Sequence, residues 1–365
     1  MRRRLPAYKR PRPPRGCSHR PPHGAFGSGN PAWLGWLLSG RRKWAIVVCV
    51  VGTQVPGTSL VQISVTVITP VYNGAPFIEE TVRSVLEQGY EKLQYIVLDD
   101  GSTDGTLDVL RRFEGRIIID SHANMGETRT VNRGLAMAEG DVVAVVNADD
   151  PLLPGAIAAA VEALHEDEEA LLAYPDWLEI DEHSKALREV RLPDYCISNM
   201  LETFDVSMGP GVFIRRRALA LAGLRDESFR YAGDLELWFR LALHGRFIHI
   251  PRVLATHRVH GGSASVSAKG PRMASEIVEV ATRTLDSPLC ASNVSESRDR
   301  ILGRVHFAAS FFCGGDWRAR LRYLWISCSL DPGLVPMLLY TAMRKVVPKP
   351  VRNFAKRALG REPSR

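Results

Sequence analysis

The chain has 365 residues, 45% of them apolar, and a net charge of +7, a balance suited to a globular protein. Residues 1–43 carry eleven Lys/Arg and the first acidic side chain is Glu79, which leaves 36 basic against 40 acidic residues beyond. The basic character therefore belongs to the ends, and it gives no argument for nucleic-acid binding by the core.

Cys17, Cys49, Cys196, Cys290, Cys313 and Cys328 are scattered, with no C-x-x-C and no His at finger spacing. This pattern predicts free thiols in a reducing compartment rather than a disulfide framework or a zinc site. No run reaches the roughly 18–20 apolar residues of a membrane-spanning helix, and the apolar stretch after Ala32 lies too far from Met1 for a signal peptide. The expected location is the cytoplasm.

Residues 1–60 open with Pro- and Arg-rich runs such as Lys9–Gly16, a composition that buries little apolar surface and predicts a disordered basic arm. From Ile63 strands and helices alternate. Ile63–Thr69 reads as a buried strand, Ala75–Gln88 as a helix with Pro76 in its first turn, and Leu93–Asp99 as a second strand. A helix follows over Gly105–Phe113, a strand over 115–120, a helix over Glu127–Ala138 and a strand over Asp141–Asn147. A helix over Pro154–His165 and a strand over Ala170–Tyr174 complete the run. This order predicts an α/β fold with a doubly wound, mainly parallel sheet, whose ligands gather at the carboxyl ends of the strands. Beyond Tyr174 the alternation loosens: a strand at 210–216, helices at 217–222 and 233–244, and an extended segment at 246–260. The expected division is 1–60 arm, 61–270 catalytic domain, and 271–365 helical region with a basic tail.

Three polar clusters fall at strand ends: Thr69–Asn73, Asp99–Asp104 and Asn147–Asp150. In the second, Asp99 and Asp100 end an apolar strand, where a carboxylate can accept hydrogen bonds from a base or a ribose; a plain Asx-turn is the alternative. Asp104 reads as the cap of the next helix. In the third, Asp149 and Asp150 surface together from Val142–Val146. Adjacent carboxylates there are costly without a cation or hydrogen bonds, and Mg²⁺ or Mn²⁺ suits them. Asp234 opens an amphipathic helix, as an N-cap or as a base able to take a hydroxyl proton, with Glu236 as the second choice. His257, Arg258 and His260 precede Gly261-Gly262, where a glycine-containing loop could meet a diphosphate.

In order and spacing, "VTVITPVYNGAPFIEETVRSVLEQ", "YIVLDDGSTDGT", "NMGETRTVNRGLAMAEGDVVAVVNADD" and "YAGDLELWFRLALHG…THRVHGGSAS" resemble the family-2 glycosyltransferases over about residues 63–265. The resemblance implies the GT-A (nucleotide-diphospho-sugar transferase) fold and inverting transfer from a UDP-, dTDP- or GDP-sugar to a glycan or lipid-linked acceptor, as in surface polysaccharide or glycolipid assembly. It implies that Pro70, Tyr72, Asp99, Asp100, Arg129 and Asn147 bind the nucleotide, and that Asp149, with Asp150, holds Mg²⁺ or Mn²⁺. It further implies that Asp176, Arg258 and His260 face the donor sugar and diphosphate, and that Asp234 is the base. Asn147 departs from the commoner Asp of the D-x-D pattern and leaves fewer charges for a metal.

Other readings are weaker. A nucleotidylyltransferase wants a basic glycine-rich loop after the first strand, a dinucleotide oxidoreductase wants G-x-G-x-x-G, and this chain has Thr69-Pro70-Val71-Tyr72-Asn73. A catalytically degenerate nucleotide-sugar scaffold is the non-enzymatic alternative. The segment Pro336–Arg361 mixes apolar residues with seven Lys/Arg, a pattern expected either on an anionic membrane surface or in a solvated tail.

Overall fold

The computed structural model describes residues 63–336, apart from 196, 204–207, 262–269, 292–293 and 295. The chain divides into two units, Met1–Cys49 and Val50–Arg365, and every described residue lies in the second. The expected basic arm and the cationic tail fall outside the described residues.

Eight strands form one mixed sheet: β1 (Val65–Val71), β2 (Leu93–Asp99), β3 (Ile118–Ser121), β4 (Val142–Val145), β5 (Ala170–Ile180), β6 (Ala186–Val190), β7 (Phe213–Arg215) and β8 (Arg246–Arg258). The order is β3-β2-β1-β4-β7-β5-β6, with β8 paired to β5. The β3-β2-β1-β4 half is parallel, and β7 and β6 enter antiparallel. The helices are α1 (Ile78–Leu86), α2 (Thr106–Arg111), α3 (Glu127–Met137), α4 (Ala156–Glu166), α5 (Ile197–Thr203), α6 (Arg216–Ala222), α7 (Gly233–Ala242), α8 (Pro271–Asp286), α9 (Arg298–Ala309) and α10 (Trp317–Leu330).

Both faces of the parallel half are covered, because alternate strand residues point to opposite sides. Val65, Val67, Tyr95, Val97, Val142 and Ala144 pack with α1, α2 and α4 through Val82, Leu110 and Ile157. Ile68, Ile96, Leu98 and Val143 pack with α3 and the later helices through Val131, Phe239 and Ile277. Each fully buried Val, Leu or Ile contributes about 1.5–3 kcal/mol of transfer free energy, so this two-sided packing holds the sheet. Gly134 sets how closely α3 approaches, since a Cβ there would lie 2.6 Å from Ile68 Cγ2 and 2.8 Å from Leu98 Cδ1.

Register brings the polar clusters to one rim. β1 and β2 pair from Val65↔Leu93 to Val71↔Asp99, so both strands end level. β1 and β4 pair only as far as Ile68↔Val145, followed by a bond from the Val146 N–H to the Ile68 carbonyl. Residues of β1 with the parity of Ile68 turn their backbone groups toward β4. Pro70 shares that parity but lies past the end of the β4 ladder, where its missing N–H removes no ladder hydrogen bond.

Candidate functional site

The first side of the rim is a backbone cradle. Asn73 stands at φ +50°, a left-handed conformation that Asn tolerates better than most residues. Its side-chain oxygen accepts the Thr103 N–H at 2.8 Å, and its own N–H donates to Ser102 Oγ at 2.9 Å. Gly74 donates to Thr106 Oγ1, and Asp104 accepts the N–H groups of Ala75 and Thr106. The N-cap position of α2 expected for Asp104 is taken by Gly105, and Asp104 one residue earlier accepts the N–H of Thr106, the first helical residue. Above this cradle Tyr72 is 54% exposed, a free aromatic face on which a base can stack.

Asp99 and Asp100 are both buried, yet they serve different ends. Asp99 accepts the Ser102 N–H at 3.2 Å and the Ser121 hydroxyl at 2.9 Å, tying the end of β2 to β3. Asp100 accepts two successive backbone N–H groups, Met125 at 2.7 Å and Gly126 at 3.0 Å, just before α3. His122 Nδ1 lies 3.5 Å from the same carboxylate, and its buried Nε2 has no hydrogen-bond partner. Gly101 between these loops has φ +73°, and a Cβ there would sit 2.7 Å from Asn124 N, so only glycine lets the two segments approach.

The β4 loop comes next to this cradle: a Cβ on Gly74 would lie 3.6 Å from that of Ala148, and Thr81 Oγ1 donates to the Ala148 carbonyl. Here the two carboxylates expected to share a metal part company. Asp149 keeps about a quarter of its side chain exposed and lies 2.9 Å from His260 Nε2. Asp150 turns inward, 3% exposed, and accepts the Arg258 N–H at 2.7 Å and the Asn147 amide at 3.0 Å. Burial first, and then the charge of Asp149, push the Asp150 carboxyl up to about 7, against the lowering effect of its donors. Asp150 is therefore a buried brace, a correction to its reading as a ligand. Asn147, itself exposed, gives its amide to that brace.

Arg258 also differs from expectation. It ends β8 at 1% exposure instead of riding on a free loop. Its guanidinium donates to the Asp149 carbonyl, the Asp181 carbonyl, Ser184 Oγ and Glu80, and it lies 4.9 Å over the Phe77 ring. With its donors spent this way it holds the β4 loop, α1 and the β5–β6 turn together; it does not reach out to a diphosphate. His257 precedes it, held below the ordinary imidazole range by burial. His260 is the basic side chain of this segment that stays beside Asp149. Residues 262–265 of the expected loop lie outside the described residues.

Asp176 is corrected for the same physical reason. At 1% exposure it accepts the Leu192 N–H at 2.8 Å, Arg191 at 3.0 Å and His249 at 2.9 Å. Burial alone would raise its carboxyl, but these donors outweigh that and hold it below the usual range. Its oxygens are engaged within the protein, where it fixes β5 to β8 and to the segment after β6.

Asp234 lies in the first turn of α7, half-buried, after the N-cap position taken by Ala232. The helix dipole favours a carboxylate there. A Cβ on Gly233 would meet Thr128 Oγ1 at 3.3 Å, so α7 begins beside the start of α3 and the Asp100 clamp. Glu236, the second candidate base, is committed to Arg240 through two hydrogen bonds. Sequence reading missed Glu276 of α8, whose carboxylate accepts the N–H groups of Arg230, Tyr231 and Ala232 at 3.0, 2.7 and 3.1 Å. Burial would raise Glu276, but those N–H groups and Arg272 hold it below the usual range. It anchors the turn that aims Asp234. Arg129, in the first turn of α3, is exposed and paired to Glu227 at 2.9 Å.

At the opposite end of the sheet, a groove lies between Ile63, Asp141 and Arg215–Arg217. Its arginines already donate to backbone carbonyls, of Ala170 from Arg215, Gly140 from Arg216 and Glu168 from Arg217. The rim, in contrast, offers an exposed aromatic ring, a partly exposed carboxylate with a histidine and a helix-start carboxylate. Among the described residues no three His, Cys, Asp or Glu side chains form a resident metal cluster. One accessible carboxylate, Asp149, fits a hard divalent cation that completes its shell with phosphate oxygens and water.

Residues 66–218 match the model of Glycosyl transferase family 2. An uncharacterized glycosyltransferase of Rickettsia typhi is 29% identical over 214 residues, 56% of this chain and 66% of the relative. Hyaluronan synthase of Pasteurella multocida is 25% identical over 220 residues, 59% of this chain and 22% of that protein. The chain thus spans a little under two thirds of the first of these relatives. S. aureus TarS 1–349 in complex with UDP-GlcNAc superposes with TM-score 0.59 at 18% identity, over 73% of this chain and 81% of that one. Mannosyltransferase PcManGT from Pyrobaculum calidifontis, in complex with GDP-Man and Mn²⁺, gives TM-score 0.55 at 23% identity, over 80% and 83%. The mixed sheet has the GT-A fold of these solved glycosyltransferases, and residues 66–218 of the chain are similar to glycosyl transferase family 2.

Proposed function

We propose that the protein is an inverting hexosyltransferase that moves a sugar from a nucleotide-diphosphate donor to an acceptor hydroxyl. The observation that carries this reading is the separation of two accessible carboxylates on one rim: Asp149 beside His260, and Asp234 at the start of α7. One suits the leaving diphosphate and the other the attacking hydroxyl.

Tyr72 stacks on the nucleobase, while the Asp100 clamp and Asn73 hold the loops that receive the nucleoside, with Pro70 and Asp99 fixing the strand ends beneath. Arg129, exposed and paired with Glu227, exchanges that partner for the nucleotide. Asp149, with His260, would hold Mg²⁺ or Mn²⁺, which when bound supplies positive charge opposite the diphosphate. Asp234 takes the proton of the acceptor hydroxyl. That oxygen bonds to the anomeric carbon from the face opposite the nucleotide, and the carbon–oxygen bond to the diphosphate breaks with its electron pair. The products are an inverted glycoside and a nucleoside diphosphate. The transition state has oxocarbenium character, as in glycoside hydrolysis.

The sugar-bound complexes of TarS and PcManGT support a nucleotide-sugar donor. The hyaluronan synthase relative supports a place in polysaccharide assembly, and the acceptor proposed with it is a glycan or a lipid-linked glycan. Cys313 and Cys328 are free thiols, which supports the reading of a reducing, cytoplasmic setting. The test is a panel of UDP-, dTDP- and GDP-sugars with glycan and lipid-linked acceptors, read by released nucleoside diphosphate and by the anomeric proton of the product. One active pair giving an inverted linkage supports the reading. A retained linkage, or turnover unchanged in Asp234→Ala, overturns it.

A further inference from the structure

The largest exposed apolar side chains of the described residues gather on one helix outside the family 2 segment. On α10, Trp317 is 62% exposed, Leu321 56% and Trp325 71%. They follow at i, i+4 and i+8, so they form one stripe along the helix. Ser327 on another side is fully buried, and α10 packs there against α9. A stripe with two indoles facing water costs apolar hydration and marks a contact surface.

The charges beside the stripe identify the partner. Arg318 and Arg322 follow Trp317 and Leu321 by one position each, at the same edge of the exposed face, and Arg318 lies 5.4 Å from the Trp317 ring centroid. Trp317–Leu330 contains no acidic residue, and among the described residues no carboxylate pairs with Arg318, Arg320 or Arg322. In sequence, the next stretch, 337–365, adds eight Lys/Arg against one Glu. Indoles bordered by unpaired guanidinium groups match the boundary between acyl chains and anionic headgroups.

We propose that α10 docks flat on an anionic lipid bilayer, with Trp317, Leu321 and Trp325 in the interface and Arg318 and Arg322 at the headgroups. A protein partner would be expected to bring acidic side chains of fixed geometry. Nothing on α10 is arranged for a particular geometry, since its free arginines are aligned along an edge and not converged on a point. The proposal does not rest on the catalytic reading of the rim.

The experiment uses the full chain and sedimentation with phosphatidylcholine vesicles, with and without phosphatidylglycerol. The proposal expects binding to anionic vesicles that weakens with salt. The Trp317→Ser/Trp325→Ser variant should lose on the order of tenfold in partitioning, by loss of buried apolar area. Arg318→Gln and Arg322→Gln should lose about fivefold each, and Trp317→Phe/Trp325→Phe should retain most binding. Circular dichroism and sedimentation velocity keep the outcomes apart. A folded Trp317→Ser/Trp325→Ser variant that binds vesicles like the wild type overturns the proposal. So does a wild-type dimer that becomes monomeric in this variant while vesicle binding is unchanged, which would make the stripe a contact between copies.

Discussion

Arg258 donates its backbone N–H to Asp150 at 2.7 Å while both side chains lie almost wholly out of water. The last residue of β8 and the loop after β4 are thereby one unit, although 108 positions separate them. Asp149 is presented at the rim because Asp150 is pulled inward.

Arg258→Ala should destabilise the fold by about 2–5 kcal/mol, because truncating this buried side chain leaves a cavity and takes the donor from the Asp149 and Asp181 carbonyls. Arg258→Lys should recover little, because an ammonium replaces a fork that now reaches four acceptors. Chemical denaturation of both variants checks this; a Lys variant as stable as the wild type contradicts it.

Asp150 gives a pH signature with a definite sign. Burial and the neighbouring Asp149 charge push its folded carboxyl up to about 7 from an ordinary 3.8, so near pH 5 the native state holds a proton that the unfolded chain releases. That contribution to stability is complete below about pH 4 and is lost as pH rises toward 7. Asp176, Asp226 and Glu276 are shifted down and act in the opposite sense, losing stability as pH falls. They are common to the wild type and to Asp150→Asn and cancel in the difference. Urea unfolding at pH 5 and pH 8 should therefore show the variant gaining on the wild type at the higher pH. Parallel profiles contradict the buried, protonated brace.

Asp149→Ala and Asp234→Ala should each lower kcat by about 10²–10³, the scale for a lost charge stabiliser or general base. Both residues are half-buried, so unfolding midpoints should move little. A large loss of stability with normal turnover per folded molecule would reverse the assignment.

Glu276→Gln tests the anchor beneath Asp234. The amide keeps one acceptor for the N–H groups of Arg230, Tyr231 and Ala232, so the variant should fold. The expected outcome is a fall in kcat of about tenfold with KM for the donor nearly unchanged, by a small displacement of a positioned base. A rise in donor KM alone would place Glu276 at the nucleotide instead.

The parallel half of the fold was legible because its strands and helices are locally consistent. Leu93–Asp99 forms β2 as its apolar run predicts, and α3 begins at Glu127 as expected. β6 and α5 were missed: Ala186–Val190 carries four exposed residues and becomes a strand only by pairing with β5. The carboxylates at the rim were legible as a set, since polar residues follow apolar strands there. Their individual fates were not. Asp150, Asp176 and Arg258 are buried by partners tens of residues away, and no local pattern distinguishes such a brace from a ligand. Glu276 looks like any acidic residue of an amphipathic helix until α8 is packed against the turn before α7.

The most direct measurement is calorimetric titration of UDP, GDP and dTDP into the wild type and Asp149→Ala, each with Mn²⁺ and with chelator. Saturable binding of one nucleotide to the wild type is expected, strengthened by Mn²⁺ and weakened to the chelator level in the variant. Folded wild-type protein that binds none of the three under any condition would contradict a nucleotide-sugar site at this rim.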